Sequence, residues 1–191
     1  MTEQACGALI TAAGFSRRFG ADKRIQLLSP NGPTVIEATI AKYRNVFTQL
    51  KVVIRAEDDH LRNLLSEVEL VLATDAHLGH GHSLKAGFAN NHWSYTFVAL
   101  ADMPYIETAT LVELKRRAEA QPNVIHRPRY TGEAEHTLGH PIGFPAHVYD
   151  EMRLLSGDTG AREVVRKHEV VELATTDYGV VQDIDHPSDL D

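Results

Sequence analysis

Cysteine is almost absent from this 191-residue chain, which has only Cys6. A single cysteine cannot form a disulfide within the chain, so we expect a reducing, cytoplasmic environment. Long hydrophobic runs are also missing, and no segment approaches the roughly 20 apolar residues that a membrane helix needs. The N-terminal residues 1–14 carry no basic group ahead of their apolar stretch, which argues against a signal peptide. We therefore expect no membrane partner.

Positive charge is scarce as well. Lysine and arginine together number 19 against 26 acidic residues, and the formal net charge is -7. Proteins that hold nucleic acid by counterion release usually have basic surfaces, so the composition argues against nucleic acid as a partner. A polyanionic ligand would need a local group of cations or a metal ion. The length and the 43% hydrophobic content predict one globular domain over residues 1–191.

Short apolar runs alternate with amphipathic stretches in the first two thirds of the chain. The apolar runs predict strands over residues 7–12, 50–55, 70–73 and 95–101. The amphipathic stretches predict helices over residues 34–47, 58–68 and 108–121, with Asp58 or Asp59 as an N-cap. This alternation is typical of βαβ units in a mainly parallel sheet.

The pattern changes after about residue 123. Extended pieces are predicted over residues 123–130, 140–145, 170–175 and 180–184, around helical stretches near 146–155 and 161–167. We expect this half to supply antiparallel edge strands and the acceptor side of a pocket. The predicted fold is an α/β, Rossmann-like, three-layer αβα sandwich, mainly parallel with antiparallel additions in the C-terminal half.

The loop after the first strand has the composition of a phosphate-binding loop. Ala13 and Gly14 allow the backbone to approach oxygen atoms closely, and Arg17, Arg18 and Lys23 supply positive charge. The spacing fits neither the P-loop nor the G-x-G-x-x-G fingerprint. In open α/β sheets, ligands bind beyond the carboxyl ends of the strands, where this loop falls. The alternative is a surface turn with solvated arginines.

Acidic residues follow two of the predicted strands. Asp102 comes after the strand at 95–101 and before Met103-Pro104, and Asp183 and Asp185 alternate at the end of the last extended piece. Alternate residues share one face of a strand, and two close carboxylates favour a cation between them. These residues are candidate ligands for Mg²⁺. A turn aspartate and a solvated edge strand are the alternatives.

The residues from Ala12 to Lys23 resemble the L-A-A-G-x-S-x-R-M-G-x-x-K signature of the MobA-like nucleotidyltransferases, with Gly14, Ser16 and Arg18 at matching positions. The resemblance is closest to the molybdenum cofactor cytidylyltransferase branch. Similar segments continue in the order of the family over residues 79–87, 100–104, 139–141, 157–162 and 183–190. The resemblance thus spans nearly the whole chain.

The resemblance implies transfer of NMP from an NTP, with CTP favoured, to a phosphorylated acceptor such as molybdopterin, with release of pyrophosphate and with Mg²⁺ as cofactor. It implies catalytic roles for Arg18, Lys23 and Asp102, and metal binding by Asp102 with Asp183 or Asp185. It implies contacts to the nucleotide from Ala12, Ala13, Gly14, Ser16, Arg18, Lys23, Gly81, Ser83 and Ala86, the last three on a loop at 79–87 that contacts base and ribose. A molybdoenzyme or its chaperone is the expected protein partner.

The acceptor side is less well defined by the sequence. His140 and Asp158 fall in matched motifs and are candidates for acceptor binding, whereas Arg127 and Arg129 face either the acceptor or solvent. The histidines at 77, 80 and 82 are interpreted as loop residues. Two other functions remain open: transfer to a sugar or alditol phosphate, and nucleotide binding without turnover by an accessory protein.

Overall fold

A computed structural model describes residues 5–16, 19–132 and 137–190. Within these residues eight strands form one sheet: β1 (Cys6–Thr11), β2 (Gln49–Arg55), β3 (Glu69–Ala73), β4 (Tyr95–Leu100), β5 (Ile125–Tyr130), β6 (Thr137–Leu138), β7 (Ile142–Pro145) and β8 (Val170–Thr175). The α-helices are α1 (Val35–Arg44), α2 (Asp59–Leu64), α3 (His80–Ala89), α4 (Thr108–Ala120), α5 (Tyr149–Arg153) and α6 (Arg162–Lys167). None of these helices has the length and apolar character of a membrane span.

The first four strands form a parallel sheet in the order β3-β2-β1-β4. β7 runs antiparallel to β4 on one side and to β5 on the other, and β8 pairs with β5 in parallel. The short strand β6 is also antiparallel to β5. The prediction of a mainly parallel sheet with antiparallel additions in the C-terminal half is confirmed.

The expected edge position of the antiparallel strands was wrong for β7. The short antiparallel strand β6 ends the sheet as expected, but β7 does not lie at an edge, because it is inserted between β4 and β5. All four residues of β7 are buried, and a Cβ at Gly143 would lie 2.6 Å from the ring of Phe97. A short strand with a glycine in its middle has the sequence pattern of an edge strand. In β7 the glycine instead permits close packing against the neighbouring strand.

Successive residues of each central strand point to opposite faces of the sheet. In β1, Ala8 and Ile10 pack in the hydrophobic cluster that contains residues of α1, α2 and α4. Leu9 packs in the cluster that contains residues of α3, α5 and α6. This alternation follows from the two-residue period of a strand, and it produces the three-layer αβα sandwich that the sequence predicts.

One predicted strand is absent from the described residues. Residues 180–184 were expected to be extended, but a 3₁₀ turn covers Tyr178–Val180 and irregular backbone follows. The carboxylate of Asp177 accepts a hydrogen bond from the Gly179 backbone N–H and stabilises the turn. This segment then reaches the carboxyl end of β4, where the Ile184 backbone N–H donates to the carbonyl of Asp102, just beyond the strand, at 3.0 Å.

Candidate functional site

The carboxyl ends of β1 and β4 lie side by side and open into a cavity of about 510 Å³. Residues after β1 line one wall of it, including Ala13, Gly14 and Ser16. Asp102, just beyond β4, lines the opposite wall. A smaller neighbouring cavity of about 140 Å³ adds Ala12 to the lining. The predicted loop and the predicted acidic residue therefore share one site.

Lys23 lies at the centre of the acidic residues in this cavity. Its Nζ is 2.6 Å from Asp102 Oδ2 and 3.0 Å from Asp185 Oδ1, and it donates to the Ile184 carbonyl at 2.7 Å. Burial lowers the pKa of Lys23, but the carboxylates of Asp102 and Asp185 outweigh burial and raise it. The side chain is therefore a fixed positive charge at neutral pH.

Three carboxylates meet around this lysine. Asp102, Asp183 and Asp185 each have an oxygen within 4.8 Å of the oxygens of the other two. Burial and the negative charges of Asp185 and Asp102 raise the pKa of Asp183. Oxygen ligands at this spacing suit a divalent cation, which would also relieve the repulsion between the carboxylates. The residues therefore fit a Mg²⁺ or Mn²⁺ ion.

The predicted reason for the pairing of Asp183 and Asp185 was wrong, since neither residue lies on a strand. Both lie in the irregular segment after Tyr178–Val180, on either side of the buried Ile184. Ile184 anchors the segment because its side chain packs with Phe19 and Val35. The two carboxylates thus reach Asp102 through a loop that a buried residue holds in place.

A buried arginine, which the sequence did not single out, holds the start of the loop after β1. Arg24 donates to the Ala12 carbonyl at 2.5 Å, to both oxygens of Asp58 at 2.6 and 2.9 Å, and to both oxygens of Asp22. Arg55 also donates to Asp58. Asp58 occupies the N-cap position of α2, one of the two positions that the sequence predicts, but its side chain makes no capping hydrogen bond, because the two arginines occupy its oxygens.

The prediction of a loop over residues 79–87 was wrong, because residues 80–89 form helix α3. Gly79, with φ of 120°, precedes the helix, and Leu84 and Phe88 bury one face of it. The glycines at the start of this helix are typical of a loop sequence. Here they are needed for packing, because a Cβ at Gly81 would lie 2.7 Å from the Ser156 carbonyl oxygen. These glycines therefore allow close contact between α3 and residues 156–160.

The structure separates the three residues of α3 that were predicted to contact the nucleotide. Ser83 is buried and lines the 510 Å³ cavity. Gly81 donates its backbone N–H to the Gly157 carbonyl at 2.8 Å. Ala86 packs against the core cluster beneath the helix and lies outside the cavity lining.

A larger cavity of about 790 Å³ adjoins the first on the face of the sheet covered by α3 and α6. Much of its wall is apolar, with Leu84, Val98 and Phe144 among the residues that line it. His80 and Asp158 line both cavities and mark the boundary between them. The sequence did not indicate that His80 lies between two cavities; it showed only a histidine between two glycines.

His140, the other predicted acceptor residue, lines only the larger of these two cavities. Its Nδ1 atom is buried and has no hydrogen-bond partner among the described residues. Burial lowers the pKa of His140 to about 4, and the nearby charge of Arg127 contributes. The imidazole is thus neutral at pH 7. Arg18, predicted to bind the triphosphate, and its neighbour Arg17 lie outside the described residues.

Comparison with known proteins identifies the family. The model of the MobA-like NTP transferase domain matches residues 8–172. The chain is a member of the MobA-like NTP transferase family. The resemblance of its motifs to that family is therefore confirmed, and transfer of a nucleotide from an NTP is its general activity. None of the curated proteins compared with the chain matches it.

Solved structures extend the comparison. This transferase is similar to Rv0371c from Mycobacterium tuberculosis H37Rv, with 28% identity over 99% of this chain and 96% of that one and a TM-score of 0.82. A structure of Rv0371c in complex with manganese covers 91% of this chain and 89% of that one at 28% identity, with a TM-score of 0.71. Molybdopterin-guanine dinucleotide biosynthesis protein A from Archaeoglobus fulgidus shares the fold, with 21% identity, 96% and 94% coverage and a TM-score of 0.69.

Proposed function

We propose that this MobA-like transferase is a cytoplasmic enzyme that moves CMP from CTP to the phosphate of molybdopterin and releases pyrophosphate. The observation that carries the proposal is the pair of adjoining cavities, one with Lys23 and the acidic cluster and one largely apolar, which meet at His80 and Asp158. Such an arrangement suits a reaction that joins two substrates. A molybdoenzyme or its chaperone is the protein that would receive the product.

The triphosphate would bind along the loop after β1. Small residues there, Ala13 and Gly14, leave the backbone N–H groups accessible to phosphate oxygens. Apart from Gly14 and its two chain neighbours, no atom of residues 5–16, 19–132 or 137–190 lies within 4 Å of a Cβ built on Gly14. Lys23 is a compact charge that can contact the phosphates from the floor of the same cavity. Arg18 would add a second, bidentate cation.

Asp102, Asp183 and Asp185 would hold Mg²⁺ beside the triphosphate. The cation neutralises phosphate charge and polarises the α-phosphate when it is bound. The manganese complex of Rv0371c supports a divalent ion in a relative of this chain. Lys23 would keep the carboxylates of Asp102 and Asp185 oriented toward the cavity, since it contacts both of them.

The acceptor would occupy the larger cavity with its phosphate toward His80 and Asp158. From that boundary an acceptor oxygen can attack the α-phosphorus in line, and the P–O bond to pyrophosphate breaks as the new P–O bond forms. The phosphate nucleophile is already ionised at neutral pH, so the protein needs no general base. Positioning and charge stabilisation would supply the rate enhancement.

Ala13 supports CTP as the donor. It is buried and lines the 510 Å³ cavity, and the family resemblance assigns alanine here to cytidylyl transfer and glycine to guanylyl transfer. A methyl group at this position narrows the space beside the base and disfavours a purine. One such group is worth about 1–3 kcal/mol of discrimination.

The test is release of pyrophosphate from each of the four common NTPs, with and without molybdopterin and with Mg²⁺ or Mn²⁺. We expect release with CTP that depends on both the metal and molybdopterin. If release requires a sugar or alditol phosphate instead, that compound and not molybdopterin is the acceptor. Tight binding of CTP with no release in any combination would identify an accessory protein and refute the proposal.

A further inference from the structure

The larger cavity contains an arginine that forms no ion pair with any residue in the described part of the chain. Arg127 on β5 lines this cavity and, among the residues that the structure describes, donates only to the Gly139 carbonyl, at 3.3 Å. Its Nε is buried and has no hydrogen-bond partner, and no acidic group of the described residues lies within ion-pair distance of it. Burial lowers the pKa of Arg127, and the negative charge of Glu172, which is itself paired with Arg129, offsets this only in part.

Other arginines at comparable positions in this chain are compensated. Arg129, two residues further along β5 and on the same face of the strand, donates its Nε to Glu172 Oε2 at 2.6 Å. Arg24 is buried and is shared between the carboxylates of Asp22 and Asp58. A half-buried guanidinium normally requires such partners, so Arg127 is an exception that calls for an anion from outside the chain.

Two further arginines face the same cavity. Arg162 and Arg166 on α6 line it together with Arg127, and all three lie outside the lining of the cavity that holds the acidic cluster. The chain as a whole carries a net charge of -7, so this concentration of positive charge is local. Apolar side chains, among them Phe144, line the same cavity.

We propose that Arg127, with Arg162 and Arg166, binds an anionic group of the acceptor other than the phosphate that receives the nucleotide. This inference rests on the proposed function. The reacting phosphate must reach the boundary at His80 and Asp158, whereas Arg127 lines only the cavity beyond it. The acceptor is accordingly a compound with two anionic groups joined by an apolar or planar body.

The first experiment measures anion binding without turnover. Phenylphosphonate and methylphosphonate serve as probes in calorimetric titrations of the wild-type protein and of Arg127→Met. Arg129→Met is the matched control, because it removes an arginine of the same strand face that already has a partner. A charge-assisted contact to a half-buried guanidinium predicts at least about tenfold weaker phenylphosphonate binding in Arg127→Met and less than about threefold change in the control.

Two comparisons locate the bound probe. Methylphosphonate should bind more weakly than phenylphosphonate, because it lacks the ring that contacts the apolar wall. In protein labelled with ¹⁵N-arginine, phenylphosphonate should shift the Nε–H resonance that Arg127→Met removes, and addition of Mg²⁺ and CTP should not displace the probe. Displacement by CTP, or equal weakening in Arg127→Met and Arg129→Met, would overturn the inference.

Kinetics with molybdopterin supply the second readout. Arg127→Met should raise the KM for molybdopterin at least about tenfold and leave the KM for CTP unchanged. Arg166→Met is a second variant in case Arg127→Met does not fold, and it should act in the same direction. Absence of pyrophosphate release from the wild-type protein as well as from the variants would refute the proposed function. Phosphonate binding at Arg127 would still be measurable in that case. Normal turnover with an unchanged KM for molybdopterin would refute only the role of Arg127.

Discussion

Replacement of Asp58 by Asn tests whether the buried arginine network holds the loop after β1. The Asp58 side chain is 2% exposed and accepts hydrogen bonds from Arg24 at 2.6 and 2.9 Å and from the backbone and side chain of Arg55. Removing one partner of a buried ion pair costs about 3–5 kcal/mol. Asn keeps one oxygen and Arg24 keeps Asp22, so we expect the lower end of that range, about 3 kcal/mol.

The pH dependence gives a second estimate of the same quantity. Burial raises the pKa of Asp58, but hydrogen bonds from Arg24 and Arg55 outweigh it and hold the pKa at about 2, against an ordinary value of 3.8. A lowered folded-state pKa stabilises the protein above the unfolded value and loses that effect as the pH falls through the folded value. The difference is worth about 2 kcal/mol at neutral pH and falls to about half of that at pH 3.

The measurement is urea unfolding of the wild-type protein and Asp58→Asn at several values between pH 7 and pH 3. Asp59→Asn is the matched control, because Asp59 is 83% exposed and only pairs with Arg62 on the surface. It should change the free energy of unfolding by less than about 0.5 kcal/mol. A stabilising role of the buried pair is refuted if Asp58→Asn costs no more than the control, or if its cost does not decrease below pH 4.

Three further predictions concern the cavity with the acidic cluster. Asp102→Asn should reduce metal-dependent pyrophosphate release by about a hundredfold or more, with an unchanged circular dichroism spectrum; wild-type turnover would rule out the metal role. Lys23→Ala and Arg18→Ala should each lower kcat/KM severely and Arg17→Ala only slightly under one salt and Mg²⁺ condition; a modest, equal loss in all three would indicate only electrostatic steering. Ala13→Gly should lower the ratio of kcat/KM for CTP to that for GTP by about tenfold or more, and an unchanged ratio would contradict the role of the methyl group.

The parts of the fold that depend on local pattern were predictable. The alternation of apolar runs with amphipathic stretches located β1, β2, β3 and β4 to within a few residues, because buried parallel strands and their covering helices impose those patterns directly. The insertion of β7 between β4 and β5 was not predictable. It depends on long-range pairing of a four-residue strand, and its buried face is provided by Phe97 and Tyr95 of a distant segment.

The candidate site divides in the same way. Lys23 and Asp102 follow strands that the sequence identifies, so their meeting at one edge of the sheet was foreseeable. Arg24 was missed because a buried arginine next to an exposed loop has the same local sequence as a solvated one. His80 was missed since only the contact of α3 with residues 156–160 places it at the boundary of the cavities.

The charges around Lys23 favour a site that is completed by its ligands. Three carboxylates beside one ammonium leave an excess of negative charge, and a triphosphate alone would be repelled from it. A divalent cation offsets that excess and supplies the attraction for phosphate that the carboxylates oppose. Lys23 then has two sets of oxygens to contact, those of the carboxylates and those of the triphosphate. Metal and nucleotide should therefore bind with positive cooperativity, because each reduces the repulsion that the other meets.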